Sequence, residues 1–515
     1  MSIMSVLLPA VNWLWSLQAL LVGVVLIITT VLWKRPSTTD LPPGPRGLPL
    51  VGNLFSMSKD IPVVFQEWSK KYGDVFTVYA FSQPRVVLNG FSAIREALVA
   101  NADVFSSRPP FPIAGSPDQS AKGLLFEPYT PRFKEHKKFT MAALRDFGVG
   151  KRSLEGKILE EARALSGVIS KKENHTFCIS RLFKNASCNV ICSLVFGSRY
   201  EYDDVKGKEL LMMIEQTFSI KRHHMLPLIF PVLRVIPSLK KASEGFINNQ
   251  RKLREHIREQ IAKHAETFDP NDIRDFLDAF LLEAKKRKED ENSTFTEEQH
   301  VEAIKSARGS HSRAIVRQLF LAGTDTIANT LHWAVLFMIL HPDIQQKVQQ
   351  EIDSVLGPNQ DPSMEHRSQM SYTEATLSEI SRMAATAPMA QQHFTTSDIF
   401  FRGYHIPKDT GVDVNIWSVL YDPQLWPEPN KFDPTRFLDD SGKFVRREEM
   451  IVFSMGRRLC PGERLAKAEL FLFFTSLLQR FTFKPPEGCP MPSAEGVFGL
   501  VYSPTPFQLV AELRK

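Results

Sequence analysis

Apolar positions recur at helical spacing through the middle of the chain, from about residue 150 to 390. The period of 3.6 predicts helices over Leu154–Ile169, Asn189–Phe196, Phe246–Ala265 and Ala314–Leu340, with another over Glu463–Leu478. The period falls to two in two places. Val75–Tyr79 and Arg85–Leu88 flank a turn at Ser82-Gln83-Pro84 and read as an early hairpin. Phe400–Pro407 and Gly411–Val414 read as further strands of a small sheet. The pattern predicts a mainly α domain with a minor β region.

One stretch has no period. Leu14–Trp33 is 20 residues without a charge, long enough to cross a bilayer as a helix. Trp13, Trp15 and Trp33 bracket it as interfacial aromatics do, and Lys34 and Arg35 follow at once. The run lacks a basic leader and a small-residue cleavage site, which argues against a removable signal. The positive-inside rule places the N-terminus in the lumen and the remainder in the cytosol. The proline-rich run Leu41–Pro49 cannot continue a helix. The expected organisation is an anchor at 1–35, a stiff linker at 36–50 and one catalytic domain at 51–515.

Composition narrows the picture. Hydrophobic residues make up 43% and charged residues 23% of the 515, which is ordinary for a globular protein with an ample core. The net charge of +6 comes without a long basic tract, which argues against a nucleic-acid partner. Five unevenly spaced cysteines do not make a disulfide framework. Cys178, Cys188 and Cys192 lack zinc-ligand spacing and are expected to pack in a helical core.

The chemistry concentrates in Phe453-Ser454-Met455-Gly456-Arg457-Arg458-Leu459-Cys460-Pro461-Gly462. Gly456 can take the positive φ of a tight turn, and Gly462 lets backbone approach a bulky ligand. Arg458 is a permanent cation suited to a carboxylate. Cys460 stands just before a helix, whose N-terminal dipole favours a thiolate. Such a loop offers one thiolate to a metal.

The loop fits F-x-x-G-x-R-x-C-x-G at all five fixed positions and resembles the haem-binding loop of cytochrome P450 enzymes. Tyr72–Tyr79, Phe105–Pro109, Asn189–Gly197 and Phe471–Leu478 are similar to the animal microsomal enzymes of family 2. The resemblance implies the P450 fold and haem b with Cys460 as axial iron ligand. A thiolate behind haem iron favours O–O cleavage. Phe453, Gly456, Arg458 and Gly462 would shape and hold the cofactor site.

Ala322-Gly323-Thr324-Asp325-Thr326 interrupts a long apolar helix with small and polar residues, and threonine back-bonding there predicts a bend. By resemblance Thr326 and Asp325 serve oxygen activation and proton delivery. Glu379 and Arg382 share a helix face and resemble the E-x-x-R helix, with Arg436 as a third, structural member. His393 stands where the family places a carboxylate-binding His or Arg; an exposed loop histidine is the competing reading.

The resemblance also implies an apolar small-molecule substrate (a fatty acid, steroid or foreign compound), inserted with one oxygen atom from dioxygen. Electrons would come from NADPH-cytochrome P450 reductase, since no G-x-G-x-x-G site is present, with cytochrome b5 as a second donor. Lys134, Lys137, Lys138 and Arg457 would offer that acidic partner a basic surface. The expected location is the endoplasmic reticulum membrane, single-pass, with a cytosolic catalytic domain.

Two departures stand out. Where the family often has Trp and Arg on the haem carboxylates, this chain has Phe133 and Lys137. Gln299–Arg317 is about ten residues longer than the family spacing allows and poor in apolar periodicity. Two other classes therefore stay open: a haem-thiolate isomerase or dehydratase of peroxides, and a non-catalytic haem- or lipid-binding relative.

Overall fold

The structure is a computed structural model that describes residues 22–23, 40–48, 51–57, 60–81, 83–109, 123–147, 152–218, 227–228, 231–287, 311–357 and 360–514. Nearly all of Leu14–Trp33 lies outside the described residues. Among those residues no helix is long and apolar enough to cross a membrane.

The main helices are α1 (Ile61–Tyr72), α2 (Pro131–Asp146), α3 (Arg152–Ser170), α4 (Ser180–Val195), α5 (Val205–Phe218), α6 (Pro237–Glu266), α7 (Phe276–Lys286), α8 (His311–Leu340), α9 (Pro342–Leu356), α10 (Ser371–Ala384) and α11 (Glu463–Arg480). Each segment with helical period is helical, and most extend past the predicted ends. Helix α2 carries too many charges for its period to be legible. A proline at its first turn and the Thr130 hydroxyl, which accepts from the Phe133 N–H at 3.3 Å, start it.

Helix α8 is apolar nearly all round and is buried accordingly. It packs along α4 and also touches α5, α6, α9, α10 and α11. Gly323 permits that approach, because a Cβ there would stand 2.7 Å from Ile191 Cδ1. The unusual stretch before Leu319 is in part this helix. Residues 299–310 lie outside the described residues, whereas Ala314, Ile315 and Val316 are buried core in its first turns.

The strands are β1 (Val75–Ala80), β2 (Gln83–Leu88), β3 (His393–Phe394), β4 (Ile399–Phe401), β5 (Tyr404–Ile406), β6 (Gly411–Val414), β7 (Phe481–Lys484), β8 (Gly496–Phe498), β9 (Tyr502–Pro504) and β10 (Val510–Leu513). The early and late β signals build one sheet of order β1-β2-β6-β3. β2 runs parallel to β6 in the register Val86↔Val412, and β3 closes the edge antiparallel. The β4–β5 hairpin is a separate ladder, turned by Arg402 and Gly403 at positive φ. Cys188 and Cys192 are buried in α4, but Cys178 is exposed, because it precedes that helix in a surface segment.

Candidate functional site

The cysteine loop is fixed by backbone. Cys460 N–H donates to the Phe453 carbonyl at 3.1 Å, and Leu459 N–H to that of Gly456. Gly456 has φ +73°, and a Cβ there would run into the Leu98 carbonyl oxygen, so position 456 requires glycine twice over. At Gly462 φ is ordinary and a Cβ would meet the Cys460 Sγ at 3.8 Å, so its small size matters less than expected on the protein side. Burial pushes the Cys460 thiol above its ordinary value. The N–H groups of Gly462 and Glu463 bond the sulfur and pull the other way, as does Lys137. A metal cation would settle that contest in favour of the thiolate.

Four nitrogen-bearing side chains converge beside the loop. Arg458 donates through Nε to the Ser106 carbonyl (2.7 Å), through Nη2 to that of Glu127 (2.7 Å) and through Nη1 to that of Leu124 (3.3 Å). Arg108, which sequence reasoning did not single out, donates through Nη1 to the carbonyls of Gln391 and Gln392 at 2.8 and 2.9 Å. Burial, with repulsion from Arg458, lowers Arg108 to about 9, and burial lowers Arg458 to about 10. Burial and Arg458 also lower Lys137, whose ammonium donates to the Arg457 carbonyl at 2.6 Å. Lys137 thus turns into the site and leaves Lys134 and Lys138 as the exposed lysines of that turn. Arg457 pairs with Asp103.

His393 is buried on β3, which removes the loop-histidine alternative. Its Nδ1–H donates to the Phe105 carbonyl at 2.6 Å, which leaves Nε2 without a partner. Burial holds it well below its ordinary value, and Arg108 adds to that. Arg108 Nε is likewise buried without a partner. None of Arg108, Lys137 and Arg458 has an ion-pair partner among the described residues. One buried cation, two half-buried ones and two orphaned nitrogens around a half-buried thiol fit one occupant: an iron chelate with acidic substituents.

Helix α8 runs unbroken through the small-residue motif. Thr326 Oγ1 donates back to the Ala322 carbonyl at 2.6 Å, and Thr330 does the same to that of Thr326. Ala322 is exposed and Thr326 half-exposed although their helix crosses the core. Asp325 is buried. Asn329 Nδ2 donates to its Oδ2 at 3.0 Å, and Lys184 Nζ stands 3.4 Å from its Oδ1. Lys184, from α4, also reaches Glu215 of α5 at 3.7 Å. Burial lifts the Asp325 carboxyl above its ordinary value, Lys184 and Asn329 oppose that, and Glu215 adds to it. Nothing in the sequence pointed to Lys184, since its partners lie on other helices.

The scaffold residues also meet. Arg382 grips Glu379 with Nε and Nη2 at 2.7 and 2.8 Å, both side chains fully buried. Its remaining donors reach the carbonyls of Leu420 and Pro429. Arg436 stands further off, with Nε 3.4 Å from Glu379 and no aligned hydrogen bond there, so the expected triad is a tight pair with a looser third member.

The cysteine loop with its buried and half-buried cations, and the acid–alcohol pair on α8, are groups suited to a haem-thiolate protein. The chain matches the family model for Cytochrome P450 over residues 42–511 and belongs to that family, whose monooxygenases bind haem iron through a cysteine thiolate. It is 37% identical to Cytochrome P450 2D27 of Mesocricetus auratus over 512 residues, covering 97% of this chain and 98% of the relative. It is similarly 38% identical to Cytochrome P450 2D6 of Homo sapiens, covering 96% and 98%. With Cytochrome P450 2U1 of Homo sapiens the identity is 36%, covering 96% and 93%.

Proposed function

We propose that this monooxygenase oxidises an apolar small molecule at a haem held by Cys460, with electrons from a separate NADPH-dependent flavoprotein reductase. Haem bound there supplies dioxygen activation and the oxidising power. Cys460 holds the iron from the loop, and Arg108, Arg458, Lys137 and His393 take the acidic substituents. Phe453 lies against the thiolate side of the loop, with Lys467 over its ring.

The observation that carries the reading is the Asp325–Thr326 pair on a core helix whose Ala322 and Thr326 are left uncovered. The Asp325 carboxyl, lifted above its ordinary value by burial, is suited to give and regain a proton. The Thr326 hydroxyl spends its proton on the Ala322 carbonyl, so its oxygen can accept from water or from a proton carrier beside it. The exposed Lys134 and Lys138 lie on α2 beside the cysteine loop, a basic face suited to an acidic electron donor. The uncharged run Leu14–Trp33 supports anchorage in the endoplasmic reticulum membrane, with 36–50 as linker and 51–515 as a cytosolic catalytic domain.

The test uses full-length protein with haem. A thiolate-type carbon monoxide spectrum on reduction, and turnover that requires NADPH and reductase, are expected. Thr326→Ala should divert electrons from product to peroxide and water, and Asp325→Asn should slow turnover by about a hundredfold. Turnover without reductase would place the enzyme among the isomerases, and a silent Thr326→Ala would make it a binder.

A further inference from the structure

Phe133 and Lys137 stand where the family often carries tryptophan and arginine, yet the structure does not leave that corner bare. The Phe133 ring is buried, and the Arg458 guanidinium carbon lies 3.5 Å from its centroid. The Lys137 ammonium lies 5.8 Å from the same centroid. Tyr129, whose ring centroid is 5.8 Å from that of Phe133, has Arg458 at 5.9 Å. An aromatic face attracts a cation more strongly as water is excluded; here the ring is buried and the Arg458 cation half-buried.

The stack has a geometric consequence. A guanidinium carries all five N–H groups in one plane, so a ring on its face fixes where every donor points. Three donors are committed to the carbonyls of Ser106, Leu124 and Glu127. Two remain at the edge, on the cation whose charge Arg108 and His393 both feel. A flat apolar residue without the ring would bury as well, but it would leave that plane free to tip.

We propose that Phe133 is a positioning residue for the haem carboxylates, acting through Arg458: its ring holds the guanidinium so that Arg458 gives the hydrogen bonds an indole N–H would otherwise give. This rests on the reading of Cys460 as the haem ligand. The aromatic face replaces the donor, and Lys137 adds charge without needing a fork.

The experiment reconstitutes the full chain with haem or with haem dimethyl ester, whose carboxylates are blocked, and follows transfer of the cofactor to excess apo-globin. With haem, Phe133→Leu should lose cofactor about tenfold faster than the parent, while Phe133→Trp keeps the parent rate. With the dimethyl ester, parent and Phe133→Leu should lose it equally fast. A difference that persists with the ester would mean ordinary packing and overturns the proposal, as does a Phe133→Leu variant that holds haem like the parent. Should Phe133→Leu not accumulate, Phe133→Tyr and Phe133→Trp carry the test, since tenfold faster loss from either contradicts it. The carbon monoxide spectrum of the parent reports on Cys460 separately.

Discussion

Arg382 and Arg108 are both almost wholly buried arginines, and they end in opposite electrostatic situations. Arg382 meets a carboxylate with two parallel hydrogen bonds, spends its other donors on carbonyls, and lies 5.6 and 5.4 Å from the rings of Tyr421 and Trp426. Arg108 has two carbonyls, an orphaned Nε and a second, half-buried cation as its neighbour. Burial costs a charge several kcal/mol unless it is paired. The first cluster is closed within the protein, so it serves the scaffold. The second is open and is completed from outside, which is the mark of a binding site.

Breaking the closed cluster should have the largest effect. Arg382→Ala strands the Glu379 carboxylate in the core, and about 3–5 kcal/mol of stability should be lost with or without haem. Denaturant unfolding and the yield of soluble protein read this directly. Equal losses in both forms are the expectation that sets this cluster apart.

The open cluster should respond unequally. Arg108→Met gives up two bonds to carbonyls but also removes an unpaired charge, so the haem-free protein should lose little. The loaded protein loses a partner of the carboxylates, about 2 kcal/mol or more. Thermal unfolding of the two forms measures the gap, and similar losses in both would erase the distinction drawn between the clusters.

The distal pair lies between these extremes, because Lys184 only partly neutralises Asp325 and shares itself with Glu215. Lys184→Met removes what opposes burial, so the Asp325 carboxyl should climb further. The pH dependence of electron coupling to product should then move to higher pH. An unmoved profile would show that Lys184 does not tune the acid.

How much of this was legible follows from which residues each contact joins. The loop glycines, Cys460 and the Thr326–Asp325 motif are local in sequence, so their pattern survives in the chain. Glu379 and Arg382 are three apart on one helix, and their pairing was legible for the same reason. Arg108 and Lys184 were not, since each becomes important only where separate segments meet: Arg108 at Gln391 and Gln392, Lys184 at Asp325 and Glu215. The threonine back-bonding expected at Ala322–Thr326 is present, within a helix that stays continuous. Phe133 looked like a loss until its ring was seen against Arg458.

The smallest effect tests the open cluster by pH. His393 Nδ1–H is tied to the Phe105 carbonyl, and Arg108 and Arg458 disfavour a proton on Nε2, so the haem-free protein holds it neutral. Its folded pKa lies below the unfolded value, so the unfolded chain binds more protons as pH falls and stability drops with acidification. Between pH 6.5 and 5.5 the drop from this group is about 1 kcal/mol. His332, lowered to about 4, and His341, also lowered, tilt the curve in the same direction, so the parent must be set against His393→Gln, which keeps their slope and removes this one. With haem present, an acidic substituent facing Nε2 favours the imidazolium and offsets the two arginines. The difference between parent and variant should therefore shrink or reverse in the loaded protein, and a difference that haem leaves untouched would place the carboxylates away from His393.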